Sequence, residues 1–161
     1  MNIPDNIKRI IDNKSNKRLG KEMWGIEMIN YKEFDSSKIE EVKMIYKKES
    51  WNAYLKDDDK LIRSFNNSLY ILGAFDEEKL VGFIRCVGDG EHILMVQDLI
   101  VMQEYQKKGI GTHLFKTIMD KYSKVRMFMV ITDIEDVVDN KFYKSFKLEK
   151  LEDMNMIGYI R

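Results

Sequence analysis

The sequence predicts a single layered α/β domain with a mixed sheet. Three observations carry that expectation. Strand-like and helix-like runs alternate along the chain, with strands clustered in its middle. The apolar period there changes from helical spacing to near-continuous runs. A turn with two glycines then joins the longest such run to an amphipathic helix. The chain's 161 residues suit one compact domain with a sizeable core.

The elements follow in order. Residues 1–22 read as a polar, lysine-rich N-terminal extension with weak apolar spacing at Ile3, Ile7, Ile10 and Ile11. That spacing fits a short helix or a frayed end. The domain proper is assigned to residues 23–161. MWGIEMINY at 23–31 opens it as a strand, and Ser36 or Ser37 is expected to cap the next helix. Ile39, Val42, Ile45 and Tyr46 give that helix its apolar stripe. A second helix is predicted within 51–65, burying Leu55, Leu61, Ile62 and Phe65 while Asp57, Asp58 and Asp59 face water.

LYILGAF at 69–75 and KLVGFIRCV at 79–87 are joined by the short polar DEE, which predicts an antiparallel hairpin. ILMVQDLIVM at 93–102 suits a central strand covered on both faces, although its period alone also fits a buried helix. Leu114, Phe115, Ile118, Met119 and Tyr122 recur at helical spacing after the glycines. VRMFMVI at 125–131 reads as a strand, and 136–146 as a helix built on Val138, Phe142 and Phe146. Residues 148–151 and 156–160 are expected to close the sheet as a strand pair.

Composition narrows the function classes. The 27 basic and 27 acidic residues cancel, which gives no support for a nucleic-acid or membrane partner. Cys86 is the sole cysteine, so the chain forms no internal disulfide and no cysteine-rich metal site. The methionines are scattered through apolar runs without metal-ligand spacing. No signal-like apolar core or run of spanning length is present, and a cytoplasmic protein is expected.

The chemistry concentrates at QKKGIG, residues 106–111. A helix starting near Gly109 leaves its first N–H groups without intrahelical partners, and its dipole favours an anion there. Glycines 109 and 111 let a phosphate approach the backbone, with Lys107 and Lys108 alongside. Gln106 could steady the loop or touch the ligand. The spacing is neither GxGxxG nor a P-loop, so dinucleotide binding and Walker-type hydrolysis lose support. A plain tight turn stands as the alternative.

VQDLIVMQEYQKKGIGTHL, together with the later DNKFYKSFKLEK, resembles the GCN5-related N-acetyltransferase (GNAT) family. The resemblance extends over residues 23–161. It implies a GNAT-like fold, a mixed and mostly antiparallel sheet flanked by helices with a splayed central strand. It implies acetyl-CoA as acyl donor, with no metal. The pyrophosphate turn would be Gln106, Lys107, Lys108, Gly109, Ile110, Gly111 and Thr112. Leu99, Ile100 and Val101 would offer strand-end backbone to the pantetheine arm, and Asn140 would contact that arm. Tyr143 would protonate the departing thiolate; in an amphipathic helix it is otherwise a half-buried core residue.

Asp98 is the candidate for accepting the amine's proton, as the only charge in ILMVQDLIVM. Alternatively it bonds to a loop or a neighbouring strand. His92 is a second candidate base, while His113 suits packing or solvent exposure. Glu49, Trp51, Tyr54 and Arg63 fall where the family builds its acceptor pocket. Two departures stand out. Lys147 replaces the family's usual glycine after the helix at 136–146, a difference that matters if the turn needs positive φ. Met95 stands where histone-type relatives carry a glutamate base.

The expected function is direct acetyl transfer to a primary amine of a small molecule such as a polyamine, arylalkylamine or amino sugar. A protein or peptide acceptor, or a non-catalytic CoA-binding regulatory module, are the alternatives. A monomer or homodimer is compatible with the chain.

Overall fold

The computed structural model describes residues 28–161. The expected extension, and the start of the expected first strand at 23–27, lie outside them. The described chain runs β1 (Ile29–Glu33), α1 (Ile39–Lys48), α2 (Asp58–Asn66), β2 (Tyr70–Asp76) and β3 (Lys79–Gly88). It continues with β4 (Ile93–Val101), α3 (Ile110–Lys121), β5 (Met127–Val130) and α4 (Val137–Ser145). Short 3-10 turns precede α1, α2 and α3 and follow α4.

The five strands lie in sequence order in one sheet. β1 to β4 pair antiparallel, with the predicted β2–β3 hairpin between them, and β5 joins β4 parallel. This is the mixed, mostly antiparallel sheet that the sequence implied. The α1 and α2 side meets the sheet through Tyr46, Phe65 and Phe83, whose rings touch edge to face. On α3, Phe115 meets Phe128 of β5 and Phe142, Tyr143 and Phe146 of the α4 region. Burying these rings, with Ile45, Leu80, Ile84, Leu94 and Ile118, supplies the main driving force for the fold.

Several boundaries differ from the expectation, each for a local reason. Asp35, not a serine, caps the turn into α1, its carboxylate accepting from Ser37 N at 2.8 Å. Within 51–65, where the sequence predicts one helix, a 3-10 turn at Asn52–Lys56 precedes the α-helix. Asp57 takes an extended backbone and accepts from Lys60 N at 2.8 Å, so it starts α2 rather than continuing a helix. Val138 is 77% exposed and does not join Phe142 and Phe146 in packing. β4 is a strand throughout, with burial alternating along it.

The closing strand pair is absent. Residues 148–161 hold a 3-10 turn at Glu152–Met154 and no strand, and Ile160 at the end is 99% exposed. Apolar spacing alone does not make a strand; a ladder partner is needed, and residues 148–161 pair with no strand of the sheet, the short edge strand β5 included. Lys147 adopts φ 64°, so the turn after α4 does demand a left-handed residue and a lysine supplies it.

Candidate active site

The turn before α3 explains its own glycines. Gly109 sits at the helix N-cap with φ 81°, a conformation that L side chains resist. A Cβ there would meet nothing within 4 Å, so backbone shape, not crowding, requires glycine. Gly111 lies inside the helix and needs no special φ. Its Cβ would stand in open space, with Val101 Cγ2 at 4.0 Å as the neighbour. Both glycines thus leave the start of α3 uncrowded, at a helix end whose unpaired N–H groups and dipole favour an anion.

Around that opening, Lys107 and Lys108 are exposed, and Lys108 Nζ lies 5.0 Å from the Tyr105 ring centre. Thr112 is exposed, whereas Ile110 turns its side chain into the core at 2% exposure. Any contact that Ile110 makes with a phosphate is therefore through its backbone. Gln106 steadies the loop: its Nε2 donates to the Val101 carbonyl at 2.8 Å and toward Glu49 at 3.4 Å. Glu49 also accepts from Gln103 N at 2.9 Å, so it braces the turn from the end of α1.

β4 leaves β5 beside this turn. Val96 pairs with Val130, and no residue of β4 beyond Val96 pairs with β5. On the other side β4 stays registered with β3, through Leu99 with Ile84, Ile100 with Phe83 and Val101 with Gly82. The β3 register steps from Arg85–Asp98 to Cys86–Val96, leaving Gln97 as an extra residue. That bulge bends β4 where it parts from β5. A gap bordered by strand backbone thus opens next to the N-terminus of α3.

Asp98 does not face the mouth freely. It is 1% exposed, and Oδ2 accepts from Arg85 Nε on the neighbouring strand and from Tyr46 Oη at 3.0 Å. Its Oδ1 is buried without a hydrogen-bond partner. Burial, then the charge of Asp98, pushes the Tyr46 hydroxyl well above the usual phenol range. Burial works against the Arg85 charge, but Asp98 outweighs it and leaves the guanidinium more basic than usual. The carboxylate is already matched to a cation, an arrangement that holds groups in place.

Tyr143 is half-buried, its ring 5.4 Å from that of Phe115. Burial, with the charges of Asp139 and Asp136, raises its pKa well beyond the ordinary phenol value. Its hydroxyl consequently keeps its proton at neutral pH. Asn140 Nδ2 donates to the carbonyls of Asp133 at 2.9 Å and Asp136 at 2.6 Å, tying the loop that enters α4. His92 is exposed at the start of β4, its N–H bonded to Asp89, and His113 stacks on Tyr31 at 3.8 Å.

A cavity of about 540 Å³ lies between α2 and the β3–β4 pair. Tyr54, Arg85 and Gln97 line its inner wall; Lys56, Asp57 and Lys60 belong to its outer part. Gln97 Nε2 donates to Tyr54 Oη at 3.0 Å. Of the pocket residues expected from sequence, Tyr54 lines this space, while Trp51 stacks with Tyr46 and Tyr54 behind it. Glu49 and Arg63 do not line it. Arg85 and Gln97 went unnoticed in the sequence, yet Arg85 carried a signal. It is the one charge inside its apolar run, as Asp98 is in the next, and two such lone opposite charges on adjacent strands suggest a pair.

Among the described residues, no three metal-ligating side chains cluster and no helix is long and apolar enough to cross a membrane. Residues 35–147 match the acetyltransferase (GNAT) family. A GNAT-family acetyltransferase from Streptococcus pneumoniae TIGR4 is 32% identical with a TM-score of 0.71, over 83% of this chain and 97% of that one. Two further structures share the fold. A soil-metagenome aminoglycoside acetyltransferase, solved with sisomicin, is 18% identical with a TM-score of 0.62, over 83% of this chain and 94% of its own. A ribosomal-protein-alanine N-acetyltransferase from Brucella melitensis is 16% identical with a TM-score of 0.63, over 83% and 97%. No match arises among curated proteins.

Proposed function

The chain belongs to the acetyltransferase (GNAT) family, and from that premise we propose that it moves an acetyl group directly to a primary amine of a small molecule such as a polyamine, arylalkylamine or amino sugar. Acetyl-CoA is the donor, supplying the acetyl group as a thioester. The observation that carries the reading is the gap after the Val96–Val130 pair, set between the glycine end of α3 and the cavity beside Gln97. Donor and acceptor can meet there.

The residues divide the work. Backbone N–H groups of the α3 turn, with Lys107 and Lys108, receive the diphosphate. Strand-end backbone at Leu99 to Val101 lies along the arm, with Asn140 in the first turn of α4 contacting it. The amine nitrogen forms an amide bond with the acetyl carbon as the carbon–sulfur bond breaks. Negative charge on the carbonyl oxygen is met by strand-end N–H groups. Tyr143 gives its phenolic proton to the sulfur, and the amine loses one proton in exchange. Because Asp98 is engaged by Arg85 and Tyr46, its role is to orient Arg85 at the cavity wall. The amine proton leaves to solvent along Tyr54 and Gln97.

A cavity of about 540 Å³ lies in the size range of small-ligand pockets, which favours a small acceptor over a protein segment. The test is thiol release from acetyl-CoA against polyamines, arylalkylamines, amino sugars and short peptides. Release with one class of small amine supports the reading. Release with peptides alone moves it to the peptide acceptor, and coenzyme A binding without turnover of any amine favours the regulatory module.

A further inference from the structure

The cavity wall carries more basic than acidic side chains. Lys56, Lys60 and Arg85 line it, against one lining carboxylate, Asp57. Asp57 is occupied in capping α2 through Lys60 N at 2.8 Å. Neither Lys56 nor Lys60 has an ion-pair partner among the described residues, and both are exposed at the outer part of the cavity.

Arg85 adds a buried donor. Its side chain is 4% exposed, with Nε on Asp98 and Nη1 on Ser68 Oγ at 3.3 Å. Its Nη2 has no hydrogen-bond partner among the described residues. Nor is Nη2 sealed away, because Asp98 Oδ1 is the one buried side-chain polar atom there that lacks a partner. Nη2 therefore opens onto the space that Arg85 lines. Its position is held by Asp98 and by the Phe65 ring, 5.1 Å from Cζ. A fixed guanidinium with a free donor edge suits a planar anion.

We propose that the acceptor is a primary amine that also carries an anionic group, a carboxylate or a phosphate, held by Arg85, Lys56 and Lys60. The inference rests on the acetyl-transfer reading and narrows it. The cavity accommodates a molecule of amino-acid size. The acid docks toward the lysines and arginine, and the amine reaches past Tyr54 and Gln97 to the gap after Val96. Polycations such as polyamines meet Lys56 and Lys60 on the way in and are disfavoured.

The experiment uses matched pairs that share an amine and differ in the acid: ornithine and putrescine, phenylalanine and phenethylamine, phosphoethanolamine and ethanolamine. Thiol release from acetyl-CoA is followed with the wild-type chain and with Lys56→Ala/Lys60→Ala. The acidic member of at least one pair is expected to lead by about tenfold in kcat/KM, as charge-assisted hydrogen bonds imply. The double variant is expected to lose that lead through KM, with kcat at saturation kept. The pair that shows the lead tells carboxylate from phosphate. Equal or better turnover of the non-acidic partners overturns the anionic subsite and leaves acetyl transfer standing, as does a lead that survives in the double variant. The same pairs are titrated calorimetrically with coenzyme A present, which reads the subsite without turnover; heat from neither member of any pair overturns it. If coenzyme A itself fails to bind, the acetyl-transfer reading falls and the inference with it.

Discussion

Arg85 on β3 and Asp98 on β4 are register partners, and each neutralises the other inside the protein, at 4% and 1% exposure. Tyr46 joins them from α1, so one carboxylate ties the helical layer to the centre of the sheet. Asp98→Ala leaves the arginine buried and uncompensated. We expect it to destabilise the fold by about 3–5 kcal/mol in urea unfolding. Replacing both partners, as Arg85→Met with Asp98→Leu, should cost less than that single change. A double loss equal to the sum of the singles would show that the two do not interact.

Gly111 separates a binding role from a turn role. It sits inside α3 with open space where a Cβ would go, so Gly111→Ala should stabilise the helix by about 0.5–1 kcal/mol. In the proposed diphosphate site the same methyl would crowd the ligand's approach to the backbone of the first turn. Coenzyme A affinity, read by calorimetry, should therefore fall about tenfold or more while Tm rises. Unchanged affinity would return this glycine to the plain-turn explanation.

Tyr143→Phe removes the proposed proton donor without changing ring packing on Phe115. We expect kcat to fall about a hundredfold, with coenzyme A affinity kept. Burial raises the phenol's pKa, so the donor stays protonated past the ordinary phenol range. The alkaline limb of kcat in the wild type should then lie above about pH 10, because deprotonation of this residue comes later than in a free phenol. The same shift favours the folded state below the unfolded phenol's pKa, and that contribution fades as pH climbs toward the folded value. An alkaline limb near pH 7 that persists in the variant would assign it to another group.

Lys147 holds φ 64° at the turn after α4. Relieving that left-handed strain with Lys147→Gly should stabilise the chain by up to about 1 kcal/mol, partly offset by the greater freedom of glycine when unfolded. Differential scanning calorimetry should show Tm rising by roughly 1–4 °C. A lower Tm would mean that the lysine side chain makes a contribution larger than the strain.

How far the chain could be read in advance depended on how local each cause was. The α3 turn was legible because Gly109 must take φ 81° and glycine is the residue that does so freely. The stripe Leu114, Phe115 and Ile118 was legible for the same kind of reason, since helical period and burial coincide within one element. By contrast, 148–151 and 156–160 carried strand-like composition that no neighbouring strand answers. Lys147 left its backbone state open, because a non-glycine residue does not announce a left-handed turn.

By itself, then, the sequence determined the layered domain, the glycine turn and the lone charges within two apolar runs. Periodicity, backbone freedom and the penalty on buried charge act over a few residues and leave their mark there. Only the tertiary structure decided what those charges do. It set Arg85 against Asp98 and placed the arginine at the wall of the cavity. It also made Gln97 a bulge where β4 leaves β5. Register and pairing between strands distant along the chain decide these facts, and no single segment encodes which partner it will meet.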